Sequence, residues 1–231
     1  MININLREEL SCSGKNCFDD NFFTNSLSGD IAHLSYKGLA TEQNPNIIYP
    51  FNTLIGNIRP SRIIEIGTFY GGLTLILRAL LHNNMLYSSQ IFTYDVNCPS
   101  HLLSLINESS NVRSYTKNLF SESYSNFSNE ENKEEIISLI QDNGTTLVLC
   151  DGGCKKCEFN ILSSYLKSND IIMAHDYCPN RNYFEDNMRG KQWNWCEIED
   201  KDIDNSIITN NLTKFMYEDF LSVGWLCMKK S

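Results

Sequence analysis

Positive charge is scarce along this chain: 19 lysines and arginines stand against 28 aspartates and glutamates, for a formal net charge of −9 over 231 residues. No basic stripe interrupts that balance, which argues against nucleic-acid backbones and anionic membrane surfaces as partners. No apolar run approaches the roughly 20 residues that a membrane-spanning helix needs. The opening MININLREEL lacks the basic-then-apolar pattern of a secretory signal. Internal repeats and low-complexity tracts are missing too. The expectation is a cytoplasmic protein with no membrane partner. Cysteine is not scarce: there are nine, and without a secretory signal they are expected as mostly reduced thiols.

What is present alternates. Residues 1–30 are polar and irregular and read as an N-terminal cap segment, followed by one domain over 31–231. PFNTLIGNI (Pro50 to Ile58) predicts a short helix with proline in its first turn. RIIEIG, QIFTYDV, NVRSYTKN, TTLVLCDGG, DIIMAHDY and VGWLCMKK predict strands. GLTLILRALLHNN, SHLLSLINESS, NEENKEEIISLIQDNG and EFNILSSYLKSN predict the helices between them, the third stopping at Gly144. Strands alternating with helices imply an α/β fold: a Rossmann-like, doubly wound, mostly parallel sheet with helices on both faces. Ligands bind such sheets beyond the carboxyl ends of the strands. Glu65, Asp95, Asp151 and Asp176 each fall at or just past such an end.

RIIEIGTFYGG, Arg62 to Gly72, is the sharpest local signal. A dinucleotide loop has glycine at its middle position, so that backbone approaches the pyrophosphate. Here Phe69 holds that position, and Glu65 precedes Gly67. A carboxylate at the loop's mouth repels a pyrophosphate and pairs with an ammonium. The loop therefore favours S-adenosylmethionine, which carries a cationic amino-acid end and no phosphate, over NAD. Asp95, ending the second predicted strand, suits the two ribose hydroxyls of either cofactor. A tight turn with acids at helix N-termini is the structural alternative.

EIGTFYGG resembles the first motif of class I S-adenosylmethionine-dependent methyltransferases. It is similar in particular to the metal-dependent catechol-type O-methyltransferases and to the cephalosporin-hydroxylase and rhamnosyl O-methyltransferase group. The likeness runs from about Gly38 to Tyr177. It implies a seven-stranded sheet, with Glu65, Gly67, Phe69, Gly71, Asp95 and Asp151 around the cofactor and Asn118 on the adenine side. It also implies a divalent cation held by Asp151, His175 and Asp176, at the ends of LVLCDGG and IIMAHDY. Oxygen ligands suit Mg²⁺. His175 stands where the relatives carry a carboxylate, and favours Mn²⁺, Fe²⁺ or Zn²⁺ or a general-base role. The relatives' lysine base has Cys154 at its position, with Lys155 next to it. Asp151 and His175 also suit a plain structural role, one capping a helix and the other bonded to a backbone carbonyl.

CDGGCKKC places Cys150, Cys154 and Cys157 at the spacing of a radical S-adenosylmethionine cluster loop. Too little chain follows for the barrel that such a loop needs. GKQWNWCEIED carries Trp193 and Trp195, read either as an aromatic wall for the acceptor or as packing tryptophans. The resulting expectation is a methyltransferase, using S-adenosylmethionine and a divalent cation, acting on a hydroxyl of a small molecule or sugar. Asp151, His175 and Lys155 stand at its chemical end. Homo-oligomerisation is expected from the resemblance alone. The alternatives are a radical enzyme using the three cysteines and a binding protein of the same fold without turnover.

Overall fold

The structure, a computed structural model, describes residues 35–36, 39–97 and 111–231. The expected N-terminal cap (1–30) and the expected helix over 100–110 lie outside the described residues. A short hairpin, β1 (Ser35–Tyr36) and β2 (Leu39–Ala40), leads into helix α1 (Ile48–Ile58). Then follow β3 (Arg62–Ile66), α2 (Gly72–Asn83), β4 (Gln90–Asp95), β5 (Val112–Thr116), α3 (Glu130–Gln141), β6 (Thr146–Cys150), α4 (Lys155–Leu162) and β7 (Ile171–His175). The last elements are α5 (Asp200–Thr209), β8 (Leu212–Lys214), α6 (Tyr217–Leu221) and β9 (Trp225–Lys230). No helix among the described residues is long and apolar enough to cross a membrane.

The main sheet has seven strands in the order β5-β4-β3-β6-β7-β9-β8. Its first five are parallel, while β9 runs antiparallel to β7 and to β8. The chain lays down β3, β4 and β5 outward, then returns to the other side of β3 for β6. The switch point thus falls between the carboxyl ends of β3 and β6, where sheets of this type open a crevice. Gly67 follows β3 there, and Asp151 follows β6.

Isoleucine-rich and valine-rich runs become central strands because both faces are buried. Within β6, Leu147 and Leu149 point into one core with α1 and α2, while Val148 and Cys150 point into the other with α3 and α4. On β3, Ile63 and Ile64 divide in the same way. Glu65 shares the Ile63 face, so its carboxylate enters the sheet's interior on the α2 side. The helices carry their own boundaries. Asn129 caps α3, accepting from the Asn132 amide at 2.8 Å. Glu199 and Asp202 form a reciprocal capping box at the start of α5. α3 ends at Gln141 rather than at Gly144, which lies beyond it in the left-handed region at φ 88°.

Candidate functional site

Two clefts open at the switch point and share Gly67, Phe69 and Asp151 as a common wall. The first, of about 290 Å³, runs over Tyr94 and Asp95 to Asn118, Phe120, Tyr124 and Glu158. The second, of about 220 Å³, runs over Thr41 and Glu42 to Lys155, His175, Asp176, Trp193 and Glu197.

The turn between β3 and α2 builds the junction. Gly67 sits at φ 92°, and a Cβ there would lie 2.2 Å from the Asp151 carbonyl oxygen. Only glycine permits that approach. Gly71, at φ 81°, opens α2. Phe69 also adopts a left-handed backbone, φ 50°, and its amide donates to Asp95 Oδ2 at 2.7 Å. Asp95 Oδ1 accepts from the Asn97 amide at 3.0 Å. Glu65 lies beneath this turn, fully buried. Thr74 Oγ1 donates to its Oε2 at 2.5 Å, and Oε1 has no hydrogen-bond partner among the described residues. Burial pushes the Glu65 carboxyl up to about 8, and the Thr74 and Thr93 hydroxyls lower it too little to offset this. A buried carboxylate oxygen without a partner, under a loop that admits close backbone approach, suits a ligand's ammonium. Asn118 lines the first cleft as expected, although its own Oδ1 accepts from the Phe120 amide at 3.3 Å.

At the other end, Asp151, His175 and Asp176 bring one ligand atom each within 4.8 Å of one another. Two carboxylates and an imidazole at that separation could hold a divalent cation, and the nitrogen donor departs from an all-oxygen Mg²⁺ set. His175 Nδ1 lies 2.9 Å from Asp151 Oδ1 and 3.7 Å from Asp176 Oδ1. The imidazole therefore bonds a carboxylate rather than a backbone carbonyl, and its Nε2 has no hydrogen-bond partner among the described residues. Its ring stacks on Trp225 at 4.7 Å and tilts against Trp193 at 5.0 Å. Burial lowers its pKa, but Asp151 and Asp176 outweigh that and the net shift is upward. Asp176 shifts downward: burial raises it, while His175 and Lys155 together prevail. Its backbone is left-handed, φ 55°, and Trp193 Nε1 donates to its Oδ1 at 2.6 Å.

Lys155 enters from the first turn of α4. Its Nζ lies 3.0 Å from Asp176 Oδ2, 2.9 Å from Glu197 Oε2 and 3.9 Å from Asp151 Oδ1. Burial lowers its pKa, yet these three carboxylates drive it above the ordinary lysine value. At neutral pH it is an ammonium and a fixed charge rather than a proton acceptor.

Two contributors escape sequence reasoning. Gln43 lies between β2 and α1 and is fully buried. Its Nε2 donates to Asp151 Oδ2 at 2.9 Å and its Oε1 accepts from Trp225 Nε1 at 2.8 Å. No motif links positions so distant in the chain. Glu158 bends back on its own helix, accepting from the Gly152 and Cys154 amides at 3.1 Å each. Burial pushes its carboxyl up to about 7 despite those amides. Its signal was legible as an acid in the first turn of the helix after CDGG.

The cysteines do not gather. Cys150 is buried in the core on the α3 side, and Cys154 is disulfide-bonded to Cys157. Three thiolates are thus not free to share a cluster, while Cys150, Cys178, Cys196 and Cys227 are free thiols. Trp193 is buried beside Trp195, and both line the second cleft, so the packing and wall readings apply together.

No protein-family model and no curated protein sequence matches the chain. Among solved structures it is similar to CmcI in an apo form, at 14% identity over 85% of this chain and 75% of that one, with a TM-score of 0.56. It is also similar to a CmcI structure with Mg and SAM, at 15% identity over 85% and 76%, TM-score 0.58. A third, CmcI with SAH, gives 12% identity over 85% and 82%, TM-score 0.51. At such identities the likeness is one of fold, a seven-stranded, mostly parallel Rossmann-like sheet.

Proposed function

We propose that this protein is an S-adenosylmethionine-dependent methyltransferase acting on a hydroxyl of a small molecule or sugar, with a divalent cation at Asp151, His175 and Asp176. The observation that carries the reading is Glu65: buried, raised to about 8, with Oε1 unpartnered beneath the Gly67 turn. A phosphate-bearing cofactor has no use for such a group, and an ammonium-bearing nucleoside does. The CmcI structures with Mg and SAM and with SAH support the choice by their fold and their ligands.

When bound, S-adenosylmethionine supplies an electrophilic methyl group, and a cation beside it lowers the pKa of an acceptor hydroxyl. The chain's own residues arrange the rest. Glu65 receives the ammonium end, and Asp95, at the rim of the first cleft, accepts the ribose hydroxyls. Phe120 and Tyr124, stacked at 6.1 Å between ring centroids, offer the base an aromatic wall. Gly67 and Asp151 stand where the two clefts meet, so a group bound in one faces a group bound in the other. Trp193 and Trp195 wall the acceptor side and exclude water from it. Gln43 orients the Asp151 carboxylate, and Trp193 orients that of Asp176. A second reading rests on the partnerless His175 Nε2: with Nδ1–H donating to Asp151, that nitrogen takes the hydroxyl proton without a cation.

The test is calorimetric titration with S-adenosylmethionine, S-adenosylhomocysteine and NAD. Both sulfur nucleosides should saturate and NAD should not. Glu65→Ala should weaken them by roughly tenfold to a hundredfold, the value of a charge-assisted hydrogen bond. Tight NAD binding, or nucleoside binding indifferent to Glu65→Ala, defeats the reading. Chelation by EDTA separates the two chemical variants: turnover that survives it belongs to His175 acting alone.

A further inference from the structure

The Lys155 ammonium occupies the carboxylates that a cation needs. It lies 3.0 Å from Asp176 Oδ2 and 3.9 Å from Asp151 Oδ1, two of the three donors in the cluster. Its side chain is only 9% exposed, so solvent does little to screen it there. A divalent cation bonding Asp176 at about 2.0–2.6 Å would share with that ammonium a carboxylate whose Oδ2 the ammonium already holds at 3.0 Å. Lysine and cation therefore compete for the charge of one carboxylate. The third partner of the ammonium, Glu197 Oε2 at 2.9 Å, belongs to no cation cluster, and its side chain is 49% exposed. A flexible four-carbon stem allows the ammonium to turn toward Glu197 and solvent without moving α4. Trp193 Nε1 holds Asp176 Oδ1 meanwhile, so the carboxylate that the ammonium leaves stays aimed at the cluster.

We propose that Lys155 is a built-in competitor of the divalent cation, and that Glu197 is the carboxylate that takes the ammonium when the cation loads. This rests on the cation reading given above. Without metal, Lys155 neutralises the buried Asp176, which lets two acids and a histidine sit together in the folded chain. With metal, the Lys155–Glu197 pair remains at the rim of the acceptor cleft. Cation affinity is then set by an exchange of partners rather than by three donors alone.

Mn²⁺ affinity, followed by calorimetry and by the free-ion paramagnetic resonance signal at fixed pH and ionic strength, reads this directly. Lys155→Met and Lys155→Gln should each tighten Mn²⁺ by roughly tenfold or more, the scale of losing one close competing charge. Glu197→Gln should weaken it about fivefold in the presence of Lys155, and by less than about twofold in the Lys155→Met background. Equal effects of Glu197→Gln in both backgrounds would mean a simple field effect, and unchanged affinity in both folded Lys155 variants would mean no competition; either overturns the proposal. Wild-type protein gives a second route if the variants do not fold. Saturating Mn²⁺ should expose Lys155 to reductive methylation, read by peptide mass spectrometry, and an unchanged rate refutes the exchange. Asp151→Asn separates the two ideas. If Mn²⁺ fails to bind the wild type, or binds it and Asp151→Asn alike, the cation reading falls and takes this inference with it. Asp151-dependent binding with a flat Lys155 series removes the inference alone.

Discussion

At the scale of single residues, Glu65 couples folding to protons. Its folded pKa of about 8 exceeds the ordinary 4.5 because burial penalises the charged form. The folded chain therefore holds a proton that the unfolded chain has lost between those two values. Stability from this group is complete below about 4.5, is lost as pH rises through about 8, and amounts to a few kcal/mol. Glu158, raised to about 7, adds to the same slope. Denaturant titrations from acid to mildly basic pH should show the unliganded protein weakening, and Glu65→Gln should flatten the upper part of that decline. Parallel slopes for the two proteins would contradict the assignment. An ammonium arriving at Glu65 favours its ionised form, so nucleoside binding near neutral pH should release up to about one proton, visible as a buffer-dependent heat. Gly67 makes the opposite kind of demand, steric rather than electrostatic. Gly67→Ala adds a Cβ 2.2 Å from the Asp151 carbonyl oxygen at a φ of 92°. It should cost about 2–4 kcal/mol of stability, and a variant as stable as the wild type would refute that packing.

At the scale of elements, the turn from β6 into α4 gives the first cleft Asp151, Gly152, Gly153 and Glu158. Glu158 folds back onto the Gly152 and Cys154 amides and fixes that turn against Asp151. Glu158→Ala leaves those amides without their acceptor, and should cost about 1–3 kcal/mol in stability and weaken nucleoside binding in proportion. Full affinity with lost stability would make the residue a helix device only. The parallel strands were legible because burial on both faces writes them as continuous apolar runs. The acids at their carboxyl ends were legible because that topology puts ligand sites there. β8 was not: Leu212–Lys214 has one buried residue and pairs only with β9, so no period marks it. The β1–β2 hairpin is two residues a side, too short to carry a pattern. Gln43 was illegible for a different reason. Its partners Asp151, His175 and Trp225 come from β6, β7 and β9, and tertiary folding alone brings them together. The contact between Lys155 and Asp176 was hidden likewise, since sequence marks Lys155 as a charge and does not say which carboxylates it meets.

At the scale of the whole molecule, the switch point turns two clefts into one device. Gly67, Phe69 and Asp151 belong to both walls, so a ligand that orders one wall orders part of the other. Asp151 also joins the cluster with His175 and Asp176 to the turn that Glu158 fixes. Nucleoside and cation should therefore bind with a coupling free energy, and linkage requires the coupling to be reciprocal. Saturating Mn²⁺ should tighten S-adenosylhomocysteine by some factor above about threefold, and saturating S-adenosylhomocysteine should tighten Mn²⁺ by the same factor. S-adenosylhomocysteine is the better probe here because it lacks the sulfonium charge, so repulsion between two cations does not obscure the effect. Gln43→Ala leaves every proposed ligand in place but frees the Asp151 carboxylate to turn, and should reduce the factor toward unity while each ligand still binds alone. Factors that differ between the two directions would indicate a measurement away from equilibrium. A factor of one in the wild type would mean that the two clefts are neighbours without communication, and that the shared wall is rigid before either ligand arrives.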